Sequence, residues 1–319
     1  MNQIQQERVN RKLKTELGPL VVQALEDPKV VEIMLNSDGT LWQEKLGQGM
    51  ESIGEMPASQ AFSLLSTIAT SLGTQVTVIQ PILEGELPID GSRFEGLIPP
   101  VVARPTFTIR KKASQVFRLS DYVKQNALTL VQQYHIVQAV KQRKNILVVG
   151  GTGSGKTTLT NAIIQQIVHN TPEHRLVIIE DTAEIQCSAK NAVSLRSTET
   201  VDMQKLLKAT MRLRPDRILV GEVRGPEALT LLKSWNTGHP GGVATVHANS
   251  AAAGLIRMEQ LIAEATTAPM QSLIAEAVHL VIFIEKTPDG RKISEMLSVA
   301  GFDHQTQQYL LSPIKKEIQ

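Results

Sequence analysis

Ile146-Leu147-Val148-Val149-Gly150-Gly151-Thr152-Gly153-Ser154-Gly155-Lys156-Thr157-Thr158 is the stretch on which the reading of this chain turns. Its first four residues are an apolar run of strand length, and a helical pattern continues from Thr158 to Val168. Between them stands G-x-x-x-x-G-K-T, a spacing that chance produces in about one chain in a hundred of this size. Glycines let the backbone curl until several N–H groups point inward, and the helix N-terminus behind them adds a favourable dipole. Gly150, Gly151, Thr152, Gly153, Ser154, Gly155, Lys156, Thr157 and Thr158 are therefore candidate nucleotide-phosphate residues. Lys156 is expected to neutralise the β/γ-phosphates and the Thr157 hydroxyl to ligate Mg²⁺, so ATP and Mg²⁺ are the expected cofactors.

Working outward, the downstream half alternates short apolar strands with helical stretches. Strands are expected at Asn145–Val149, Arg175–Glu180, Arg217–Val223, Gly242–Val246 and Val278–Glu285. Helices are expected at 155–169, 201–213, from Pro226 to Trp235, and from a cap at Ser250 to about 265. That alternation predicts an α/β domain with a mostly parallel sheet covered on both faces. The upstream half reads differently. A helix broken at Gly18-Pro19 precedes a hairpin turning at Ser37-Asp38-Gly39-Thr40, then a helix from about Ala58 to Leu72 and a second hairpin near Ile89-Asp90-Gly91-Ser92. Pro99, Pro100 and Pro105 limit regular pairing around them to an edge strand or irregular segment. The expected division is a smaller α+β domain over 1–125 and a P-loop domain over 126–319.

Composition narrows the function classes. The chain has 319 residues with 33 Lys+Arg against 31 Asp+Glu, a formal net charge of +2, so the totals give no bulk attraction to nucleic acid or membrane. Aromatic residues make up 3%, which disfavours a base-stacking platform for single strands. The single cysteine, Cys187, excludes an intrachain disulfide framework and a four-cysteine zinc site, and suits a reducing, cytosolic compartment. No apolar run approaches bilayer length. A basic stretch over 96–120 holds Arg104, Arg110, Lys111, Lys112 and Arg118 and no acid. It reads equally as a solvated face at a domain boundary or as an anion-facing edge.

Further chemistry gathers at strand ends, where open α/β sheets bind ligands. Glu180, Asp181 and Glu184 end one strand; they suit Mg²⁺ held through water or a positioned nucleophile, or else helix capping. Arg217–Arg224 ends with Glu222, the candidate for orienting and deprotonating water, while Gly221 sits where a metal-holding Asp is usual. His247 closes a third strand, where it either meets a γ-phosphate or is a satisfied structural histidine. The seven residues between His239 and His247 are not a usual zinc spacing.

The order P-loop, Glu180-Asp181-x-x-Glu184, Arg212-x-x-Pro215-Asp216-x-Ile218-x-Val220-Gly221-Glu222-x-Arg224 and Thr245-x-His247-Ala248-Asn249 resembles the secretion-superfamily ATPases of type II and type IV secretion and type IV pili. Glu86–Gly96, Arg212–Arg217 and Trp235–Pro240 resemble the TrbB-type conjugal-transfer branch most. The resemblance covers about 27–300. It implies a RecA-like, homo-hexameric ATPase that energises pilus assembly or DNA–protein transfer. Its expected partners are the type IV secretion/conjugation machinery at the inner membrane, with the chain cytoplasmic and peripherally bound to the cytoplasmic face. The resemblance makes a glycine at 221 ordinary, supports His247, Glu184, Arg212 and Arg224 as catalytic, and suggests Arg104 and Arg110 as nucleotide contacts. Lacking a tetracysteine module, the chain departs from the type II assembly branch. The alternatives are a type IV pilus or other secretion ATPase, and a P-loop nucleic-acid translocase or helicase. Neutral charge and few aromatics disfavour the last, so no stable direct nucleic-acid binding is expected.

Overall fold

Apolar residues along the strands sort the chain into two sheets with different habits. In the computed structural model, which describes residues 3–46, 48–112, 116–198 and 200–315, the two compact units are Met1–Ser114 and Gln115–Gln319.

The first unit runs α1 (Gln3–Glu26), β1 (Val30–Leu35), β2 (Thr40–Lys45), β3 (Met50–Glu55), α2 (Ala58–Ser71), β4 (Ile82–Glu86), β5 (Arg93–Leu97) and β6 (Thr106–Arg110). Its strands alternate buried and half-exposed residues, the pattern of an antiparallel sheet with one covered face. The sheet order is β3-β2-β1-β6-β5-β4, with Leu13, Leu17 and Val21 of α1 and Leu64, Leu65 and Ile68 of α2 packed on Ile33, Phe94, Phe107 and Ile109. α1 kinks at Gly18, whose φ of 76° only glycine adopts readily, so the expected break is where Gly18-Pro19 predicts it. The segment holding Pro99, Pro100 and Pro105 is irregular, as expected, and regular pairing resumes directly after it. β6 pairs with both β1 and β5 because Pro105 lies just before the strand, where its missing N–H costs no ladder bond.

The second unit adds α3 (Leu119–Lys124), α4 (Leu130–Lys141), β7 (Ile146–Val149), α5 (Lys156–Asn170), β8 (Leu176–Glu180), β9 (Ala192–Arg196), α6 (Met203–Thr210), β10 (Arg217–Val220), α7 (Glu227–Asn236), β11 (Val243–Val246), α8 (Ala251–Ala263), α9 (Gln271–Ala277), β12 (Leu280–Thr287), β13 (Gly290–Asp303) and β14 (Gln308–Pro313). The division falls earlier than residue 125, because Leu119 and Tyr122 of α3 share a core with Leu159 and Ile163 of α5.

Eight strands lie in the order β14-β13-β12-β7-β11-β10-β8-β9. From β12 to β9 all neighbours are parallel, and β12-β13-β14 is an antiparallel edge. Alternate residues of β7 enter opposite cores: Leu147 and Val149 meet α7 and α8, while Ile146 and Val148 meet α4 and α5. Burial on both faces explains why these strands read as continuous apolar runs. Asn145 joins the strand starts, accepting from the N–H groups of Gly241 and Gly242 at 2.7 and 3.0 Å and donating to Ala277 O at 2.7 Å. No helix among the described residues is long and apolar enough to cross a membrane.

Candidate active site at the carboxyl ends of the parallel strands

The loop between β7 and α5 is a tight cradle built on glycine. Gly153 and Gly155 adopt φ of 68° and 97°, and a Cβ at Gly150 would stand 2.3 Å from the Ile284 carbonyl oxygen. Gly151 and Thr152 lie on its rim, and Thr158 belongs to the first turn of α5. Ser154 is buried, and its hydroxyl has no hydrogen-bond partner among the described residues. Lys156, also buried, donates from Nζ to Gly150 O at 3.0 Å and Gly151 O at 2.9 Å. These loop carbonyls hold the ammonium where an entering phosphate would compete for it.

Three neighbouring strand ends deliver the remaining groups. Gly221-Glu222 follows β10 and His247 follows β11, so adjacent parallel strands set Glu222 and His247 side by side. His247 Nε2 lies 2.7 Å from Glu222 Oε1, and Lys156 Nζ stands 4.0 Å from that same oxygen. The imidazole nitrogens are 3.2 and 3.4 Å from Nζ. Arg224 bridges Glu222 and Asp181 with short ion pairs to both. Burial works against the Arg224 charge, and Glu222 and Asp181 outweigh it, so its pKa rises. Thr157 Oγ1 donates to Glu184 Oε2 at 3.0 Å.

Glu180 and Asp181, the expected metal ligands beside Thr157, already carry partners within the chain. Glu180 Oε1 accepts from the N–H groups of Glu184 and Ile185 at 3.0 and 2.8 Å, and Asp181 is taken up by Arg224 and the Thr182 N–H. Burial pushes the Glu180 carboxyl up, opposed by its two backbone N–H donors. Among the described residues no group of three or more His, Cys, Asp or Glu is arranged to hold a metal. Thr157 and Glu184 are side chains that could hold a hydrated divalent cation here.

Arg212, expected among the catalytic residues, stands apart from the P-loop within this chain. It is exposed in the segment that leads into β10, at the amino edge of the sheet, and makes no side-chain hydrogen bond or ion pair among the described residues. The P-loop lies at the opposite, carboxyl edge. His239 also sits at the amino edge, in the loop before β11. Arg104 and Arg110 belong to the first unit. There the Asp38 carboxyl is held low by hydrogen bonds from Thr40 first and by the charge of Arg104 last, and Arg110 Nε pairs with Glu32 at 2.5 Å. Register sets Arg93 directly opposite Arg110.

The structure also explains Gly221. A Cβ there would stand 2.9 Å from Glu180 Cγ and 3.2 Å from its Oε1. The side chain of Glu180, arriving from β8, fills the space that a side chain on β10 would need. A residue missed by the sequence reading is Arg291 at the start of β13. Its Nε and Nη2 both lie 3.3 Å from Gly153 O. No motif marks it, since a hairpin 138 positions away brings it to the loop.

A phosphate cradle, a buried lysine and a strand-end glutamate on a central parallel sheet define a P-loop nucleotide-hydrolase class. Comparison makes that specific: the model of the family described as "Type II/IV secretion system protein" matches residues 60–304, and the chain belongs to that family. It is 56% identical over 295 residues to the probable conjugal transfer protein TrbB of Sinorhizobium fredii, covering 92% of this chain and 91% of that one. Identity to the conjugal transfer protein TrbB of Rhizobium radiobacter is 53% over 305 residues, covering 95% and 94%. The fold is similar to the X-ray structure of the Yersinia pseudotuberculosis ATPase DotB, with a TM-score of 0.64 at 16% identity over 90% of this chain and 79% of that one.

Proposed function

We propose that the chain is an ATP-hydrolysing motor of a type IV secretion or conjugative transfer system, with its second unit a RecA-like ATPase domain. The carrying observation is the convergence of Lys156, Glu222 and His247 at the mouth of the phosphate cradle, with 4.0 Å between ammonium and carboxylate. Extensive identity to the two TrbB proteins supports the conjugative setting.

In this reading the triphosphate takes Lys156 Nζ from the loop carbonyls, and the ammonium neutralises β/γ oxygens as charge builds on the leaving group. Glu222 accepts the proton of the attacking water, and ATP and water become ADP and phosphate. His247 holds Glu222 Oε1 in place and stands close enough to Lys156 to respond to γ-phosphate loss. Arg224 bridges Asp181 and Glu222 and so sets where the base points. The Thr157 hydroxyl, with Glu184 beside it, would hold Mg²⁺, which when bound would supply electrostatic stabilisation of the phosphates. Arg104 and Arg110 are further proposed nucleotide contacts, resting on the family resemblance. The family likewise supports a homo-hexamer and association with secretion machinery at the cytoplasmic face of the inner membrane, while the near-neutral charge and few aromatics support no stable direct binding of nucleic acid.

Steady-state hydrolysis by wild type, Lys156→Ala and Glu222→Gln tests the mechanism. Both variants are expected to lose turnover by about 10²-fold or more. Wild-type turnover in both would refute it. Solution mass with and without Mg-ATP tests the ring, and a persistent monomer would refute that part.

A further inference from the structure

We propose that Arg291 is a positioning residue of the nucleotide site, pinning the peptide between Gly153 and Ser154 so that the Ser154 N–H faces into the phosphate cradle. The inference rests on the P-loop reading above and assigns a role to a residue outside every motif of the sequence.

Peptide geometry sets the direction of that N–H. A trans peptide is planar, and its C=O and N–H point in opposite directions. Two guanidinium nitrogens of Arg291, Nε and Nη2, fork onto the Gly153 carbonyl at 3.3 Å each. With that carbonyl drawn outward, the Ser154 N–H on the same peptide must point to the concave side. It does so: Ser154 N reaches across the loop to Gly151 O at 3.4 Å, a long contact that a phosphate oxygen would readily replace. Gly151 O is also one of the carbonyls that hold Lys156 Nζ. The two donors thus share one acceptor, and both are freed together when phosphate enters.

Two further observations belong to the same arrangement. The stem of Arg291 lies across Gly155, where an added Cβ would stand 2.7 Å from Arg291 Cδ. A side chain at the second phosphate-loop glycine would therefore displace this arginine, besides having to adopt a φ of 97°. Arg291 has no carboxylate partner among the described residues, and register places Lys286 directly opposite it on β12.

The test compares wild type, Arg291→Met, Arg291→Lys and Lys156→Ala in the full chain. Affinity for a fluorescent ADP and the KM and kcat for ATP are measured, with thermal melting as a check on folding. Arg291→Met keeps the stem and removes every donor. It is expected to weaken ADP binding and raise KM by about tenfold, the scale of a hydrogen bond to a charged group, with kcat within about twofold. Arg291→Lys, which restores charge and one donor without the fork, is expected to recover part of the affinity. Wild-type affinity and KM in Arg291→Met would overturn the proposal, as would full recovery in Arg291→Lys, which would make charge alone the cause. A fall in kcat at unchanged KM would also overturn it. If Lys156→Ala binds ADP as well as wild type, the P-loop reading itself has failed; if only Lys156→Ala loses binding, the failure is confined to Arg291.

Discussion

Replacing Gly221 by aspartate introduces the side chain that strands of this kind commonly carry before their catalytic glutamate, and here it should do harm. The new Cβ would stand 2.9 Å from Glu180 Cγ and 3.2 Å from Oε1, so the glutamate has to leave its place. Overpacking of this sort costs about 1–3 kcal/mol. Moving Glu180 also breaks its bonds from the Glu184 and Ile185 N–H groups, at about 1 kcal/mol each. A second carboxylate beside one whose pKa burial has already raised adds repulsion. The sum is about 3–5 kcal/mol, which for a unit of this size lowers the melting temperature by roughly 6–20 °C. Differential scanning calorimetry of wild type, Gly221→Asp, Glu180→Ala and the double variant measures both the cost and its origin. Glu180→Ala vacates the space, so the aspartate should cost at least about 1 kcal/mol less in that background, a coupling of the size expected for touching residues. Turnover should not rise in Gly221→Asp. A single variant melting within about 1 °C of wild type, or a penalty of the same size without Glu180, would refute the steric account.

Other outcomes rest on the same structure. Asn145→Ala leaves the N–H groups of Gly241 and Gly242 and the Ala277 carbonyl without their buried partner, and should cost about 3–4 kcal/mol in urea unfolding. His174 accepts from Arg217 Nε at 3.1 Å, and burial, then Arg217 and Arg143, lower its pKa. A depressed histidine contributes stability above its unfolded pKa of about 6.5 that is lost as pH falls below it toward the folded value. His174→Asn, which keeps an acceptor, should therefore flatten the decline in melting temperature below about pH 6.5; an unchanged slope would remove His174 as its source. Arg217 itself, fully buried and with its pKa lowered to about 10 mainly by burial, donates to Gly241 O and Val140 O. Arg217→Leu should destabilise the unit by about 3 kcal/mol in the same urea assay, since both carbonyls and His174 lose their donor.

Local pattern is sufficient wherever one short segment carries its own physics. Ile146–Thr158 contains strand, glycine turn and helix start within thirteen consecutive residues, so the cradle and the roles of Lys156 and Thr157 are legible directly. The apolar runs of β7, β8, β10 and β11 signal a sheet covered on both faces. By contrast β3, β9, β13 and β14 escape, because their half-exposed or mixed residues give no run and their pairing comes from neighbours. α4 escapes too: its hydrophobic residues are spread around the helix, with Leu130 and Tyr134 exposed and Ile136 and Val140 buried, though Thr129 and Gln132 form a capping box at its start.

Sequence alone settles that a glycine loop, a lysine and a threonine sit at a strand end of an α/β domain, since spacing along one segment sets those positions. Which carboxylate does what is a tertiary decision. Glu180, Asp181 and Glu184 are indistinguishable as letters, yet backbone donors claim the first, Arg224 the second, and only Glu184 faces Thr157. Arg212 and Arg224 flank the same strand, and the direction of β10 sends one to the amino edge and the other to the site. Gly221 is small because a side chain from another strand fills its space, and Arg291 reaches the loop only because the β12–β13 hairpin folds back onto it. Contacts of that kind join residues far apart in the chain, and only the packing of strands against one another brings them within hydrogen-bond reach.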